Sequence, residues 1–368
     1  MTREKVFHRL VSLDALRGFD MFWIMGGSAF FIRLAQASGS ERFITLTQQF
    51  HHVHWEGFHF YDLIFPLFMF ISGVAIPYSI LAKKEKGIPS GTLFRKLFRR
   101  MGLLVIFGIL YNGFLQNGFH DPRIASVLGQ IGLAWFFASL IVLYTHTWRA
   151  RILWLFGIWV FIAGMQLLVP VPGYGAGVLT PEGSINAWID QHFLPGHLYG
   201  GTYDPEGLLC IVSATTVTLL GAFAGGILRD GKEADTRKTL LLTLAGGIFV
   251  VAALLLHGYY PIIKKNWTVP FDMLTAGLSF LLLALFYYII DVLKWEKWSF
   301  FFRVIGMNSI TIYMLHRMVH WTPTSEFFLG SLAQLMGAYG PALIMAGVVA
   351  LEWLILLYLY KNKIFLRV

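Results

Sequence analysis

A chain of 368 residues that is 57% hydrophobic and only 13% charged excludes an ordinary soluble domain, in which about a quarter of the residues are charged. The net charge of +9 raises nucleic acid as a partner, but the basic residues sit in short clusters between apolar runs, as cytoplasmic loops of a membrane protein do, so no nucleic-acid partner is expected. The single cysteine, Cys210, excludes an intrachain disulfide, and Asp14, Arg17 and Asp20 interrupt the first apolar stretch, so no cleaved signal peptide is expected.

The apolar runs predict an all-α, polytopic integral membrane protein in a lipid bilayer, with about ten transmembrane helices. In chain order they cover 16–35, 60–81, 101–116, 125–146, 152–169, 208–228, 239–258, 270–292, 301–320 and 340–360. About 20 apolar residues cross a hydrocarbon core of roughly 30 Å, and most of these runs reach that length. Basic clusters fall at alternate ends: Arg3, Lys5 and Arg9; the 83–100 loop with Lys83, Lys84, Lys86, Arg95, Lys96, Arg99 and Arg100; Arg149 and Arg151; Arg229, Lys232, Arg237 and Lys238; and Lys361, Lys363 and Arg367. The bias puts both termini in the cytoplasm, with Lys264 and Lys265 as the main exception. No internal repeat or linker divides the chain, so 1–368 reads as one domain with structured outer loops at 38–59 and 170–207.

The most chemically loaded stretch precedes the second run: His51-His52-Val53-His54-Trp55-Glu56-Gly57-Phe58-His59-Phe60-Tyr61-Asp62. Ionisable residues at membrane depth are costly, which makes them functional candidates. Asp62 at the mouth of the run is placed to orient and polarise the His52 imidazole, the core of many acid–base and nucleophilic sites. A simpler reading leaves His52 as an interfacial histidine and Asp62 as a carboxylate at a helix N-terminus. His52, His54 and His59 could alternatively ligate zinc, but their spacing is no recognised motif, and no metal is expected. The 170–207 loop is rich in Gly and Pro, which set fixed turns, and ends in Tyr203-Asp204-Pro205-Glu206-Gly207. Its aromatic and acidic residues suit contact with a sugar, or else a folded cap over helix ends.

Four motifs in order carry a resemblance. They are Arg9-Leu10-x-Ser12-Leu13-Asp14-x-x-Arg17-Gly18, then His52-x-x-Trp55-x-Gly57 followed by Asp62-Leu63-x-Phe65-Pro66. Next come Tyr203-Asp204-Pro205-Glu206-Gly207, and Gly306-Met307-Asn308-Ser309 with Tyr313 and His316. Together they resemble the membrane domain of the heparan-α-glucosaminide N-acetyltransferase family and its bacterial relatives, over essentially the whole chain. The resemblance implies acetyl transfer from cytosolic acetyl-CoA to the amino group of a terminal glucosamine on the far side of the membrane. It places the essential histidine on His52, the aspartate at the membrane mouth on Asp62, and the late-helix residues on Asn308 and His316. This chain departs from the family pattern at Ser28, Glu56 and Gln130, where Asn, Asn and Arg are usual. No counterpart of the animal enzyme's luminal domain is expected, and a bacterial inner membrane is the expected location.

Aminolysis of a thioester needs a base for the ammonium proton and donors for the developing oxyanion. His52 is expected as base or acetyl carrier, Asp62 as its orienting carboxylate, and Asn308 as an amide donor to the thioester oxygen. Trp55, Glu56, Tyr203, Asp204, Glu206, Lys265, Trp267 and His316 are the expected contacts for the amino-sugar or glycan acceptor. Arg17, Ser28 and Gln130 are expected toward the acetyl-CoA. Each has a structural alternative: Arg17 can pair with Asp14 or Asp20, Trp267 can anchor a helix at the interface, and Asn308 and His316 can serve interhelical hydrogen bonding. A permease for an N-acetylglucosamine-like sugar, or an O-acyltransferase of an envelope glycan, would use similar residues. Exposed aromatic surface could also host a homodimer.

Overall fold

The computed structural model describes residues 10–117, 121–231 and 233–366. Arg3, Lys5, Arg9, Lys232 and Arg367 of the basic clusters lie outside them. Among the described residues all regular structure is helical, apart from two isolated bridges, Glu56 with Ile263 and Val171 with Gly175.

Among the described residues, seven helical stretches are long and apolar enough to cross a membrane: Phe60–Glu85, Val127–Tyr144, Trp148–Leu168, Leu208–Arg229, Asp235–His257, Val269–Val292 and Gly337–Lys361. The remaining three apolar runs are helical as well, but each is interrupted or charged. The 16–35 run divides into Val11–Phe22 and Ser28–Ser38, because Met25 and Gly26 leave helical geometry and Gly26 takes φ +112°. The 101–116 run is the apolar end of Ser90–Tyr111, whose first half carries Arg95, Lys96, Arg99 and Arg100. The 301–320 run breaks at Asn308 (φ −128°, ψ 34°) into Phe300–Met307 and Ser309–Met318. A further helix, Trp321–Leu335, lies between the 301–320 and 340–360 runs.

The chain divides into two compact units: Met1–Val53, His59–Ile64 and Leu282–Arg367 form the first, and His54–Phe58 with Phe65–Leu281 form the second. Each is built on helices brought together at glycines. In the first unit a Cβ on Gly18 would lie 1.7 Å from the Phe302 carbonyl oxygen, and one on Gly306 would lie 1.9 Å from that of Asp14. No side chain fits at that crossing, so Val11–Phe22 and Phe300–Met307 meet backbone to backbone. Small residues permit such close approach in membrane helices, where apolar burial against lipid drives little association. Phe19 and Phe22 pack edge-on against Phe302 beside the crossing.

In the second unit Leu208–Arg229 is the central helix, with 83% of its most apolar window buried, against 17% for the outlying Asp235–His257. Gly221 and Gly225 lie against the carbonyls of Phe70 and Val74, and Gly73 against that of Thr218. This locks the Ile64–Val74 helix onto the unit's axis. Some buried polar groups are matched within the unit. Asp272, fully buried, accepts from the hydroxyls of Ser213 (2.7 Å) and Thr216 (2.9 Å), and Thr216 accepts in turn from Trp159 Nε1.

Candidate active site

In the first unit His52 and Asp62 come together. His59 in extended backbone opens a short 3-10 turn, Phe60–Asp62, which carries Asp62 back over the entering chain. The Asp62 carboxylate is buried, 2% exposed, and divides its acceptors: one oxygen lies 2.7 Å from His52 Nδ1, the other takes the backbone N–H of Val53 (3.3 Å) and of His59 (3.1 Å). Backbone donors on one oxygen fix the carboxylate plane, which leaves the other aimed at the imidazole. The His52 ring is half exposed and lies beside Tyr61, centroids 4.9 Å apart. A carboxylate on Nδ1 selects the Nδ1–H tautomer, so the basic lone pair belongs to Nε2.

The surroundings are rigid. Gln49 accepts from the Phe60 N–H, and the His59 ring is held by the His51 carbonyl. Phe50 stacks on Trp23 at 5.0 Å while Phe60 meets the same indole edge-on at 5.2 Å. With His52 on Asp62 and His59 on a carbonyl, the histidines are used singly. Among the described residues no three of His, Cys, Asp and Glu gather as a metal-holding group.

The second unit holds Trp55, Glu56, Tyr203, Asp204, Glu206 and Lys265 of the expected acceptor contacts, in two arrangements. Trp55 donates from Nε1 to the Leu179 carbonyl (2.9 Å) and meets Tyr203 edge-on at 5.0 Å. Lys265 Nζ lies 5.7 Å from both ring centroids and donates to the His54 carbonyl at 2.6 Å. Glu56 is exposed and pairs through its backbone with Ile263, and the next residue, Gly57 (φ +110°), donates to the Ile262 carbonyl. That positive φ is the reason the motif ends in glycine.

Asp204 and Glu206 form a different structure. Arg123 grips Asp204 with both arms of its guanidinium, at 2.9 and 2.7 Å, and reaches Glu206 with one of them. Asp204 also accepts the N–H groups of Tyr199 and Glu206, and its side chain is fully buried. Burial opposes the Arg123 charge, but the hydrogen bonds and charges of the two carboxylates outweigh it and raise its pKa. The pair therefore clamps the 170–207 loop ahead of Leu208–Arg229. Close by, Asp190 accepts the Leu208 N–H at 2.9 Å. Burial, reinforced by the Asp204 charge, pushes the Asp190 carboxyl up to about 7.

Other expected contacts are internal. Trp267, at φ +46°, is fully buried with its ring between Phe65 and Phe271. Gln130 is buried and donates to the Cys210 carbonyl, Ser28 bridges the kink by donating to the Trp23 carbonyl, and Arg17 lies 3.4 Å from Asp14. Asn308 is 2% exposed and donates to the Ile364 carbonyl at the helix break it creates. His316 Nδ1 lies 2.7 Å from the Glu352 carboxylate. Sequence reasoning passed over both Arg123 and Glu352 as partners. A lone acid inside the 340–360 apolar run was signal enough for Glu352; Arg123 had no periodicity to mark it.

The family model described as "Acyltransferase domain" matches residues 10–357. The mouse protein named heparan-alpha-glucosaminide N-acetyltransferase is 27% identical over 381 aligned positions, covering 87% of this chain and 56% of the mouse protein. The human protein of the same name is 29% identical over 328, covering 73% of this chain and 49% of its own length. The chain thus spans about half the length of the curated relatives it matches. With a domain match from end to end on a helical, membrane-embedded scaffold, the chain belongs to the acyltransferase-domain family of integral membrane proteins.

Proposed function

We propose that this protein is a transmembrane N-acetyltransferase that moves acetyl from cytosolic acetyl-CoA to the amino group of a glucosamine-type sugar on the outer face. The observation that carries the reading is the His52 imidazole held at 2.7 Å by the buried, backbone-braced Asp62. The two relatives, both heparan-alpha-glucosaminide N-acetyltransferases by name, support an acetyl donor and an amino-sugar acceptor class. The proposed topology keeps ten crossings in one domain with both termini inside, in a bacterial inner membrane. The interrupted helices at 16–35 and 301–320 then count as crossings, since broken helices are tolerated where protein covers them.

In the direct route, His52 Nε2 takes a proton from the sugar ammonium. The freed amine attacks the thioester carbonyl and the C–S bond breaks; the leaving CoA thiolate takes the remaining excess proton of the attacking nitrogen and departs as the thiol. Asp62 stabilises the imidazolium that results, without itself taking the proton. In the carrier route the acetyl group rests on His52 first, the thiolate leaves, and the amine then displaces the imidazole. Trp55 and Tyr203 offer aromatic faces of the kind that pack on pyranose C–H surfaces, and their neighbour Lys265 suits a sugar hydroxyl or carboxylate rather than an ammonium. Asp204 and Glu206 act through the Arg123 clamp.

The test is transfer of labelled acetyl from acetyl-CoA to glucosamine by purified protein, wild type against His52→Ala. Labelled N-acetylglucosamine from the wild type and none from the variant supports the enzyme. Acceptor-free labelling of the wild type alone would select the carrier route. No transfer to any amino sugar, together with His52-dependent sugar uptake into proteoliposomes, would replace the enzyme by a permease. Transfer to hydroxyl acceptors alone would make it an O-acyltransferase.

A further inference from the structure

The first unit contains a second imidazole–carboxylate pair. Glu352 lies within Gly340–Lys361, an apolar helix, and its side chain is fully buried. Its one described partner is His316, on the Ser309–Met318 helix, whose Nδ1 stands 2.7 Å from one carboxylate oxygen. The other oxygen has no protein partner among the described residues. A carboxylate buried at membrane depth is costly, and a purely structural tie between two helices could be made by neutral side chains. The His316 ring, unlike its partner, keeps 31% of its surface exposed.

We infer that Glu352 is a positioning residue that holds His316 in its Nδ1–H tautomer and presents Nε2 as a hydrogen-bond acceptor for a donor group of the acceptor sugar. This rests on the acyl-transfer reading for its ligand class, but the geometry of the pair stands without it. An ionised Glu352 carboxylate can only accept from Nδ1, and the Nδ1–H tautomer follows from that form. Glu352 acts through His316 and is itself too deep to touch a ligand. Replacing the carboxylate by an amide removes this selection, because an amide can either accept from Nδ1–H or donate to a bare Nδ1. A His316 held the second way would turn an N–H toward the ligand and meet a donor with a donor.

The experiment compares wild type, Glu352→Gln, His316→Gln and the double variant in detergent-purified full-length protein, by kinetics and by 15N-histidine NMR, with His316→Gln assigning the resonance. The wild type should show the His316 signal of a ring protonated at Nδ1 and bare at Nε2, and Glu352→Gln should shift it toward the other tautomer. KM for glucosamine should rise about tenfold in Glu352→Gln with KM for acetyl-CoA unchanged. The double variant should be no worse than His316→Gln, since the two residues act as one unit. An Nε2–H ring in the wild type, or additive losses in the double variant, would overturn the inference. Loss of thermal stability alone, with tautomer and both KM values unmoved, would reduce Glu352 to a structural acid. An inactive wild type whose His316 still shows the expected tautomer would remove the proposed reaction, and with it the sugar ligand, while the positioning geometry stood.

Discussion

At the scale of single residues, the proposed chemistry depends on a carboxylate whose two oxygens have different partners. Asp62→Asn keeps the shape but can turn its amide nitrogen toward His52 Nδ1 or toward the N–H groups of Val53 and His59. The turnover number should fall by about 10²- to 10⁴-fold, the range expected when such a pair loses its tautomer control. Steady-state acetyl transfer on protein of wild-type melting temperature checks this; a variant within twofold of wild type would remove Asp62 from the mechanism.

A second residue-scale prediction concerns Asp190. Its folded pKa, about 7, lies above the ordinary carboxylate value, so the folded state binds this proton more tightly than the unfolded chain. The group's contribution to stability is therefore full below about pH 4 and is lost as pH rises through about 7. Asp190→Asn, which can still accept the Leu208 N–H through its amide oxygen, should flatten the decline of thermal stability between those limits. It should be more stable than wild type at pH 8. Parallel melting curves for the two proteins across that range would refute it.

At the scale of elements, glycines set the helix crossings. Gly306→Ala places a methyl group 1.9 Å from the Asp14 carbonyl oxygen, so Val11–Phe22 and Phe300–Met307 must separate. The cost should be about 1–3 kcal/mol or more. Gly247→Ala, in the outlying Asp235–His257 helix with nothing within 4 Å of the added methyl, should leave stability level or slightly improved. Thermal melting of both variants in one detergent decides it, and equal effects would mean the crossing is softer than its geometry. The same scale explains the helix count. The 16–35 and 301–320 runs have the composition of spans, yet Gly26 and Asn308 break them, and a hydropathy pattern averages over such a break.

For the whole molecule, the proposed topology makes a directional claim. In a Cys210→Ser background, a cysteine replacing exposed Lys83 should react with a membrane-impermeant thiol reagent only from the cytoplasmic side. One replacing Tyr174, which is 53% exposed in the outer loop, should react only from the other. Labelling of both from one side would break the ten-crossing scheme.

The membrane class and the helical fold were determined by the sequence alone, because apolar run length and basic clustering are local properties of the chain. That His52 and Asp62 belonged together was also legible, being ten residues apart on a turn that folds back. What Asp204, Glu206, Trp267, Ser28 and Gln130 do was decided only by the tertiary structure. Their residue types suit a ligand as well as they suit a neighbour. Arg123 is 81 residues from Asp204, and Cys210 is 80 from Gln130. Glu352 reaches His316 across 36 residues. A polar side chain satisfies whichever partner packing brings to it, and no local pattern encodes a partner set by the crossing of distant helices.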